Sequence, residues 1–339
     1  MPTAPAFWGR KPGPAAHLLF PIGAAWEMAG RLRRRLARPY AAPVPVVCIG
    51  NLVVGGAGKT PVTLALATWF KAHGLAAHVV TRGYGGRIAG PCRVDAGQHD
   101  AATIGDEALL LAATAPCWVA RDRAAGAAAA AAGGAQIVLL DDGFQNPAIA
   151  KSVSLVVIDA AFGFGNGRVM PAGPLREDWR RGLARAEALV MLTTQGERPS
   201  VPPPPAPGKP VIAAELTAVD GERFAGQRVF AFAGIGRPQR FFATLRAVGA
   251  DIVGERRFPD HYRYRPRDIA ALAAAARREH ARLVTTAKDY VRLPATLRAA
   301  VETLDVELRW CAPEMLARLF APILSSAAPH ADPQRAAAG

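Results

Sequence analysis

Residues 50–60 read Gly-Asn-Leu-Val-Val-Gly-Gly-Ala-Gly-Lys-Thr, between an apolar β-like run, Val46–Ile49, and a helix-like run. This stretch decides the fold, because glycines between a buried strand and a helix let backbone N–H groups close around phosphate oxygens. In such a phosphate-binding loop, or P-loop, Lys59 would add positive charge and the Thr60 hydroxyl would bind Mg²⁺. The stretch therefore predicts a nucleotide-binding phosphotransferase.

The loop is a variant of the strict pattern, because Val53 stands where the first glycine is expected. Its setting compensates, since a buried strand precedes it and a helix follows, with Pro61 tolerated in the first turn. The alternative is an ordinary glycine-rich turn between a strand and a helix. The predicted nucleotide contacts are Val53, Val54, Gly55, Gly56, Ala57, Gly58, Lys59 and Thr60.

Apolar runs alternate with helix-like segments from Pro45 onward, which indicates a doubly wound parallel sheet covered by helices on both faces. The first six predicted strands are Val46–Ile49, His78–Thr81, Cys117–Ala120, Gln136–Leu140, Leu155–Asp159 and Leu189–Thr193. Helices are expected to begin at Lys59, Asp106 and Asp122. Later in the chain the expected elements are the strands Val229–Ala233 and Arg282–Thr286 and the helices Pro238–Val248 and Pro266–Glu279.

A proline run, Val201–Pro207, suggests a domain boundary, because it cannot continue a helix or a central strand. The expected organisation is an N-terminal membrane-associating helix (1–40), a P-loop kinase domain (41–205), a smaller C-terminal α/β domain (206–326) and a flexible tail (327–339). The predicted fold class is α/β. Two α/β/α sandwich domains, the first a P-loop NTPase-like parallel sheet, would follow an interfacial N-terminal helix.

Composition and charge limit the kinds of partner that the protein is expected to bind. The 339 residues are 51% hydrophobic, which suffices for two buried cores, and the net charge of +14 indicates an anionic partner. Nucleic acid, phospholipid and a phosphorylated substrate all fit the charge, but no nucleic-acid-binding module accompanies it. The four cysteines lie far apart without Cys-x-x-Cys spacing, so neither a zinc site nor a disulfide framework is expected.

The segment His17–Tyr40 combines apolar side chains with a cluster of arginines. It is too short in apolar residues to span a bilayer, and its charge order and lack of a cleavage site disfavour a signal peptide. Two interpretations remain open: an interfacial helix whose arginines meet anionic lipid, or a helix packed on the protein's own core.

Acidic and basic residues follow several of the predicted strands. Asp141 and Asp142 end an apolar strand, as a magnesium-binding carboxylate pair of a P-loop enzyme should, and either would hold Mg²⁺ beside Thr60. A phosphotransferase also needs a group that orients or deprotonates the attacking hydroxyl and cations that neutralise the phosphoryl oxygens. The candidates for these roles are Arg82, Asp106, Glu107, Arg121, Arg123 and His261.

Taken together and in order, these segments resemble the tetraacyldisaccharide 4'-kinase family, the lipid A 4'-kinases of Gram-negative bacteria. The resemblance covers nearly the whole chain. Its motifs are Pro43–Val47, Gly50-Asn51, Gly55–Pro61, Arg82–Gly86, Gly105–Glu107, Asp141–Gln145, Phe164–Gly167, Pro171–Glu177, Ala233–Gly236 with Pro238, Arg240, Phe241 and Phe242, Asp260-His261, and Thr286 with Lys288-Asp289.

The resemblance implies transfer of the γ-phosphate of ATP, with Mg²⁺, to the 4'-hydroxyl of a tetraacylated glucosamine disaccharide 1-phosphate, forming lipid IVA. It implies that Asp106 is the catalytic base assisted by His261, and that Asp141-Asp142 matches the Mg²⁺ site. Lys59 and Arg121, predicted from the residues themselves as cations near the phosphates, complete the expected catalytic set. The N-terminal helix would dock peripherally on the anionic cytoplasmic face of the inner membrane. No nucleic acid and no obligate protein partner are expected.

Two positions depart from the family pattern: Asn146 replaces a common histidine, and Ala287 replaces a common glutamate. The rival hypotheses are an ATPase of the partitioning or metal-chaperone type, which would carry an extra lysine where Val54 stands, and a nucleotide-gated membrane-binding scaffold. A GTPase is disfavoured, because the adjacent Lys288 and Asp289 cannot form an Asn-Lys-x-Asp guanine reader.

Overall fold

The strand that precedes the glycine-rich loop lies at the centre of a nine-stranded sheet. The structure, a computed structural model, describes residues 5–327, apart from the side chains of Ala295 and Ala327. The strands in chain order are β1 (Val46–Gly50), β2 (Ala77–Thr81), β3 (Cys92–Arg93), β4 (Cys117–Val119), β5 (Ile137–Asp141), β6 (Val153–Asp159), β7 (Ala188–Thr194), β8 (Val211–Ala218), β9 (Arg228–Ala233), β10 (Asp251–Arg257), β11 (Arg282–Thr286), β12 (Glu302–Leu304) and β13 (Val306–Trp310).

Helices lie between most of these strands. They are α1 (Pro14–Leu18), α2 (Phe20–Leu36), α3 (Lys59–Ala72), α4 (Ala101–Ile104), α5 (Asp106–Ala112), α6 (Arg123–Ala132), α7 (Trp179–Ala184), α8 (Pro238–Ala247), α9 (Pro266–Arg278), α10 (Ala287–Tyr290) and α11 (Pro313–Ala327). Short 3-10 turns cover Ala6–Gly9, Gly221–Phe224 and Ala295–Ala300.

The large sheet has the order β13-β8-β7-β6-β1-β5-β2-β4-β3 and is parallel except at its edge strands, β13 and β3. In β1, Val47 lies between Leu139 of β5 and Val153 of β6. Helices α3, α5 and α11 cover one face of the sheet, and α6 and α7 cover the other. All five residues of β1 are buried, as expected for a strand covered on both sides.

The predicted doubly wound sheet is confirmed, with strand ends within two residues of those expected from the sequence. Helix α6 begins one residue later than predicted, because Asp122 caps it: the Asp122 carboxylate accepts hydrogen bonds from the N–H groups of Ala124 and Ala125.

The boundary predicted at residues 205 and 206 does not follow the sheets. Strand β8 pairs with β7, and β13 returns to pair with β8, so two segments assigned to the smaller domain lie in the large sheet. The proline run is instead an extended connection between β7 and β8, in which Ala206 packs on the large core. Prolines exclude this segment from a strand ladder but do not require a new domain.

Residues 228–304, here called the small-sheet unit, form a second parallel sheet of order β10-β9-β11-β12. The chain leaves the large sheet after β8 and returns through β13. The two crossings are adjacent, since the Val219 N–H donates to the Asp305 carbonyl at 2.9 Å. Helices α8 and α9 supply the aromatic and aliphatic side chains of the two small cores.

Helix α2 packs its polar side against the protein. Gly23 lies so close to Val169 that a Cβ would be 2.7 Å from the Val169 carbonyl oxygen, and Glu27 Oε2 accepts the Asp178 N–H at 3.0 Å. On the opposite side, at 3.6 residues per turn, lies a solvent-exposed group that we call the apolar stripe. It consists of Ile22, Trp26, Met28, Leu32 and Leu36.

In residues 5–327, no helix combines the length and hydropathy that a membrane span requires. The tail predicted for 327–339 lies outside the described residues from 328 onward.

Candidate active site

The glycine-rich loop joins β1 to α3 as the sequence predicts. Gly55 and Gly58 have φ values of 107° and 87°, which favour glycine, and a Cβ on Gly58 would collide with Leu192. In the described part of the chain, the N–H groups of residues 55–58 have no hydrogen-bond acceptor. These free donors at the start of a helix form a cradle for an anion.

Val53 and Val54, by contrast, are tied to a neighbouring segment. The Val53 carbonyl accepts hydrogen bonds from Asn51 Nδ2 at 2.9 Å and Arg176 Nε at 3.2 Å, and the Val54 N–H donates to the Pro174 carbonyl at 2.8 Å. The Val54 N–H therefore already has a partner, and the free donors begin at Gly55.

Lys59 reaches from the first turn of α3 back across the loop. Its Nζ lies 3.2 Å from Asn51 Oδ1 and 3.7 Å from Asp142 Oδ1. Thr60, the next residue, is only partly buried, as a hydroxyl that binds a ligand must be.

The two carboxylates at the end of β5 differ in environment. Asp141 is buried, and its oxygens lie 3.1 Å from Thr63 Oγ1 and 3.5 Å from Thr81 Oγ1. Burial, reinforced by the negative charges of Glu107 and Asp142, raises the pKa of Asp141 to about 7. Sequence reasoning overlooked Thr63, although a threonine one turn after Lys59 lies on the same face of α3.

Asp142 has φ of 51° and faces cations. Arg176 donates to both of its oxygens, at 2.8 and 3.2 Å. Burial would raise the pKa of Asp142, but Lys59 and Arg176 outweigh it and hold the pKa below its ordinary value. Arg176 is a further residue that single-sequence reasoning did not single out as a ligand of the carboxylate pair.

This set of groups fits a magnesium ion held jointly with phosphate. Within residues 5–327, no cluster of three or more His, Cys, Asp or Glu side chains suited to a metal occurs. Mg²⁺ usually takes only one or two carboxylates and completes its shell with water and substrate phosphates. Asp141, Asp142 and Thr60, next to a free anion cradle, are residues that could supply such a partial shell.

Asp106 begins α5 and is 4% exposed. Its Oδ2 lies 3.0 Å from His261 Nδ1 of the small-sheet unit and also accepts hydrogen bonds from Arg292. Burial alone would raise the pKa of Asp106, but the His261 hydrogen bond and the charges of Arg292 and Lys288 hold it well below its ordinary value. The structure thus brings together two residues that sequence reasoning paired only through a family resemblance.

Glu107, the next residue, also contacts the small-sheet unit. Its Oε1 accepts a hydrogen bond from Lys288 Nζ at 2.9 Å. The neighbouring Asp289 is buried and accepts hydrogen bonds from the Gly234 N–H and from Tyr264. Ala287, one of the two departures, only begins α10 and leaves these contacts to its neighbours.

Arg121 lies at the surface, and its backbone N–H donates to the Ala89 carbonyl at 2.7 Å. Arg123 is instead buried; it donates to the Ala120 carbonyl at 2.6 Å and lies within the electrostatic reach of Asp141 and Asp142. A catalytic role for Arg121 stays a prediction. Arg82 is also exposed.

The small-sheet unit also touches the phosphate-binding loop. A Cβ on Gly236 would lie 3.1 Å from the Gly56 nitrogen, so the two backbones are in contact. Nearby, Arg237 and Arg240 form ion pairs with Asp159 at the end of β6. The loop therefore lies in a cleft with walls from both units.

Asn146, the other departure, has a local structural role. Its Oδ1 accepts the Ala148 N–H at 2.9 Å and its carbonyl accepts Lys151 Nζ at 2.7 Å. A side-chain-to-backbone turn of this kind is typical of asparagine.

Comparisons with known proteins agree on one family. Residues 15–324 match the family model described as tetraacyldisaccharide-1-P 4'-kinase, LpxK. The tetraacyldisaccharide 4'-kinase of Rhodospirillum centenum is 52% identical, over 98% of this chain and 99% of the relative. That of Paramagnetospirillum magneticum is 51% identical, over 94% and 97%. The crystal structure of the "apo" form of LpxK from Aquifex aeolicus in complex with ATP matches with a TM-score of 0.74 at 25% identity, covering 91% of this chain and 99% of that one.

Proposed function

Because the chain belongs to the tetraacyldisaccharide-1-P 4'-kinase family, we propose that it transfers the γ-phosphate of ATP to the 4'-hydroxyl of a tetraacylated glucosamine disaccharide 1-phosphate. The product would be lipid IVA. The observation that carries the proposal is the cleft itself: Lys59 and the Asp141-Asp142 pair line one side, and Asp106 meets His261 across it.

The nucleotide would bind at the loop. The free N–H groups of residues 55–58 suit the β- and γ-phosphates, and Lys59 supplies a mobile positive charge next to them. Asp141, Asp142 and Thr60 would hold Mg²⁺, which when bound supplies positive charge to the phosphoryl oxygens. As phosphate and metal arrive, Lys59 Nζ has only to exchange its contacts with Asn51 and Asp142.

Asp106, oriented by His261, would accept the proton of the 4'-hydroxyl that attacks the phosphate. The 4'-oxygen forms a bond to the γ-phosphorus, the bond from that phosphorus to the β,γ-bridging oxygen breaks, and ADP leaves. The hydroxyl proton passes to the Asp106 carboxylate, which His261 orients through its 3.0 Å contact. Phosphoryl transfer has a loose transition state, in which the attacking oxygen needs little help from a strong base. An ionised and well-oriented carboxylate therefore suffices, even when its pKa is low.

The apolar stripe on α2 would hold the enzyme at the membrane that contains its acylated substrate. A helix docked through its polar side with a row of large apolar side chains in solvent gains free energy by entering the headgroup boundary. Arg31, Arg35 and Arg38 on and after the same helix would meet anionic lipid. We propose the cytoplasmic face of the inner membrane as this surface.

Neither rival hypothesis is favoured. The partitioning and metal-chaperone ATPases need a lysine at the position of Val54, whose N–H here binds Pro174. A nucleotide-gated scaffold has no need of a buried carboxylate and a histidine paired across the nucleotide cleft.

The test is incubation of the purified protein with γ-³²P-labelled ATP, Mg²⁺ and the tetraacylated disaccharide 1-phosphate in detergent micelles. Labelled bisphosphorylated lipid is expected. The matched control is the same disaccharide lacking its 4'-hydroxyl, which should stay unlabelled. ATP binding without any labelled lipid would overturn the proposal and favour the scaffold.

A further inference from the structure

Arg292 forms a close ion pair with Asp106, although it belongs to none of the sequence motifs described above. The Arg292 side chain is 5% exposed. Its Nε donates a hydrogen bond to Asp106 Oδ2, and its Nη2 forms an ion pair with the same oxygen. Its remaining nitrogen, Nη1, donates to the Gly234 carbonyl at 2.7 Å and to Asp289 Oδ1 at 2.9 Å. One arginine therefore joins the buried interior of the small-sheet unit to the first residue of α5.

Asp289, the partner of Arg292 within the small-sheet unit, is held in one orientation by hydrogen bonds. Asp289 is completely buried and accepts hydrogen bonds from the Gly234 N–H, the Tyr264 hydroxyl and the Thr286 hydroxyl, at 2.8 to 3.1 Å. With its carboxylate fixed in this way, Asp289 fixes the plane of the Arg292 guanidinium. The fork of Arg292 then points at Asp106.

We propose that Arg292 is a positioning residue for the phosphoryl transfer: reaching across the cleft from the small-sheet unit, it keeps the Asp106 carboxylate ionised and directed at His261. This inference rests on the proposed kinase function for its role in turnover. The geometric part, an arginine that sets the charge state of a buried carboxylate, holds independently of the substrate.

Within residues 5–327, the basic side chains that most lower the pKa of Asp106 all belong to the small-sheet unit. They are Arg292, Lys288 and His261, whereas the adjacent residue of its own helix, Glu107, is an acid neutralised by Lys288. Asp260, 3.8 Å from His261 Nε2, and Asp289 are the counter-charges behind these cations, and the Tyr84 ring lies 5.0 Å from the His261 ring. If Asp106 stayed buried but lost the charges and hydrogen bonds of these three basic side chains, its pKa would rise.

The direct test is titration of the Asp106 carboxyl by ¹³C NMR of protein labelled at aspartate Cγ, assigned by loss of the signal in Asp106→Asn. In the wild type we expect an apparent pKa below that of an ordinary aspartate. In Arg292→Gln, which removes the positive charge but keeps a polar amide, the pKa should rise by about 1 to 3. Arg292→Lys keeps the charge, so the value should stay close to that of the wild type.

Steady-state kinetics then distinguishes a positioning role of Arg292 from a purely structural one. In Arg292→Gln the acidic limb of the pH profile of kcat/KM should move upward with the Asp106 pKa, while the KM for ATP stays within about twofold. Arg292→Lys should lower kcat about tenfold or more without moving the limb, because a lysine cannot form the two-pronged contact. Arg263→Gln, which removes another cross-cleft arginine donating to the Gly85 carbonyl at 3.4 Å, should leave the limb unchanged.

An Asp106 pKa that is ordinary or raised in the wild type, or identical in wild type and Arg292→Gln, overturns the inference without any assay of turnover. Should the wild type make no labelled lipid while the titrations behave as expected, the kinase proposal fails and the role of Arg292 in setting the charge of Asp106 stands. If Arg292→Gln does not fold, two results still overturn the inference: an ordinary or raised Asp106 pKa in the wild type, or a kcat of Arg292→Lys within twofold of the wild type.

Discussion

Asp106 and His261 are separated by 155 residues along the chain, yet Asp106 Oδ2 and His261 Nδ1 lie 3.0 Å apart. The contact joins the start of α5 to a loop in which His261 itself has a φ of 59°. A backbone conformation that costs free energy is retained here to aim the imidazole at the carboxylate.

The first prediction follows from this contact. His261→Gln should lower kcat roughly a hundredfold, the usual contribution of a positioned acid or base, with little change in the KM for ATP. Steady-state kinetics measures both constants. His280→Gln, on an exposed histidine of the same unit, is the control and should match the wild type. A kcat within twofold of the wild type in His261→Gln would refute a catalytic role.

A second prediction separates nucleotide binding from chemistry. Lys59→Ala and Asp106→Ala should both abolish turnover, but only the first should weaken ATP binding, by about ten- to a hundredfold, since one charged hydrogen bond contributes about 1.5–3 kcal/mol. Isothermal titration with a non-hydrolysable ATP analogue measures the affinities. Equal loss in both variants would contradict the roles assigned to Lys59 and Asp106.

Local patterns predicted much of the fold because they depend on neighbours in sequence. The apolar run before Gly50 and the glycines after it specify a strand, a turn and a helix, and these appear where expected. The membership of β8 and β13 in the large sheet depends on pairing across 94 residues, for example between Glu215 and Arg309, and no local signal encodes it.

The candidate site divides in the same way. Lys59, Asp141 and Asp142 stand in recognisable motifs that follow the carboxyl ends of strands. Because these ends meet at one edge of a parallel sheet, their proximity could be predicted from the sequence alone. Arg292 lies in no such motif and meets Asp106 only because two units face each other across a cleft.

A third prediction concerns pH and stability in the absence of metal. The folded-state pKa of Asp141, about 7, lies above the ordinary aspartate value of about 4, so between these pH values the folded protein binds a proton that the unfolded chain does not. Stability therefore falls as pH rises from about 4 to 7, and the penalty is fully present above 7. In EDTA, Asp141→Asn should be more stable than the wild type at pH 8 by roughly 1 to 3 kcal/mol, and the difference should shrink toward pH 4.

Denaturant unfolding of both proteins across this pH range measures the effect. Asp142→Asn is the matched control with the opposite expectation, because Lys59 and Arg176 lower the pKa of Asp142 and its charged form stabilises the fold. A stability difference for Asp141→Asn that does not vary with pH would remove the buried charge as its cause.

A fourth prediction tests the apolar stripe. The double variant Trp26→Glu and Leu32→Glu should lose at least tenfold in affinity for phosphatidylglycerol vesicles, because each side chain gains about 1.5–3 kcal/mol on leaving water. Vesicle co-flotation measures binding. Val306→Glu, on an exposed hydrophobic residue of β13, should float like the wild type. Undiminished flotation of the double variant would show that α2 does not mediate membrane binding.

The last prediction concerns the contact between the small-sheet unit and the phosphate-binding loop. In Gly236→Ala the new methyl group would lie 3.1 Å from the Gly56 nitrogen and 3.3 Å from Asp260 Oδ2, so either backbone must shift by a few tenths of an ångström. Because the Gly56 N–H is one of the proposed phosphate donors, we expect the KM for ATP to rise about five- to tenfold, a change of about 1 kcal/mol. Circular dichroism and thermal melting should match the wild type. Gly13→Ala, where a Cβ meets no atom within 4 Å, is the control. An unchanged KM in Gly236→Ala would mean that the cleft opens beyond this contact before ATP binds.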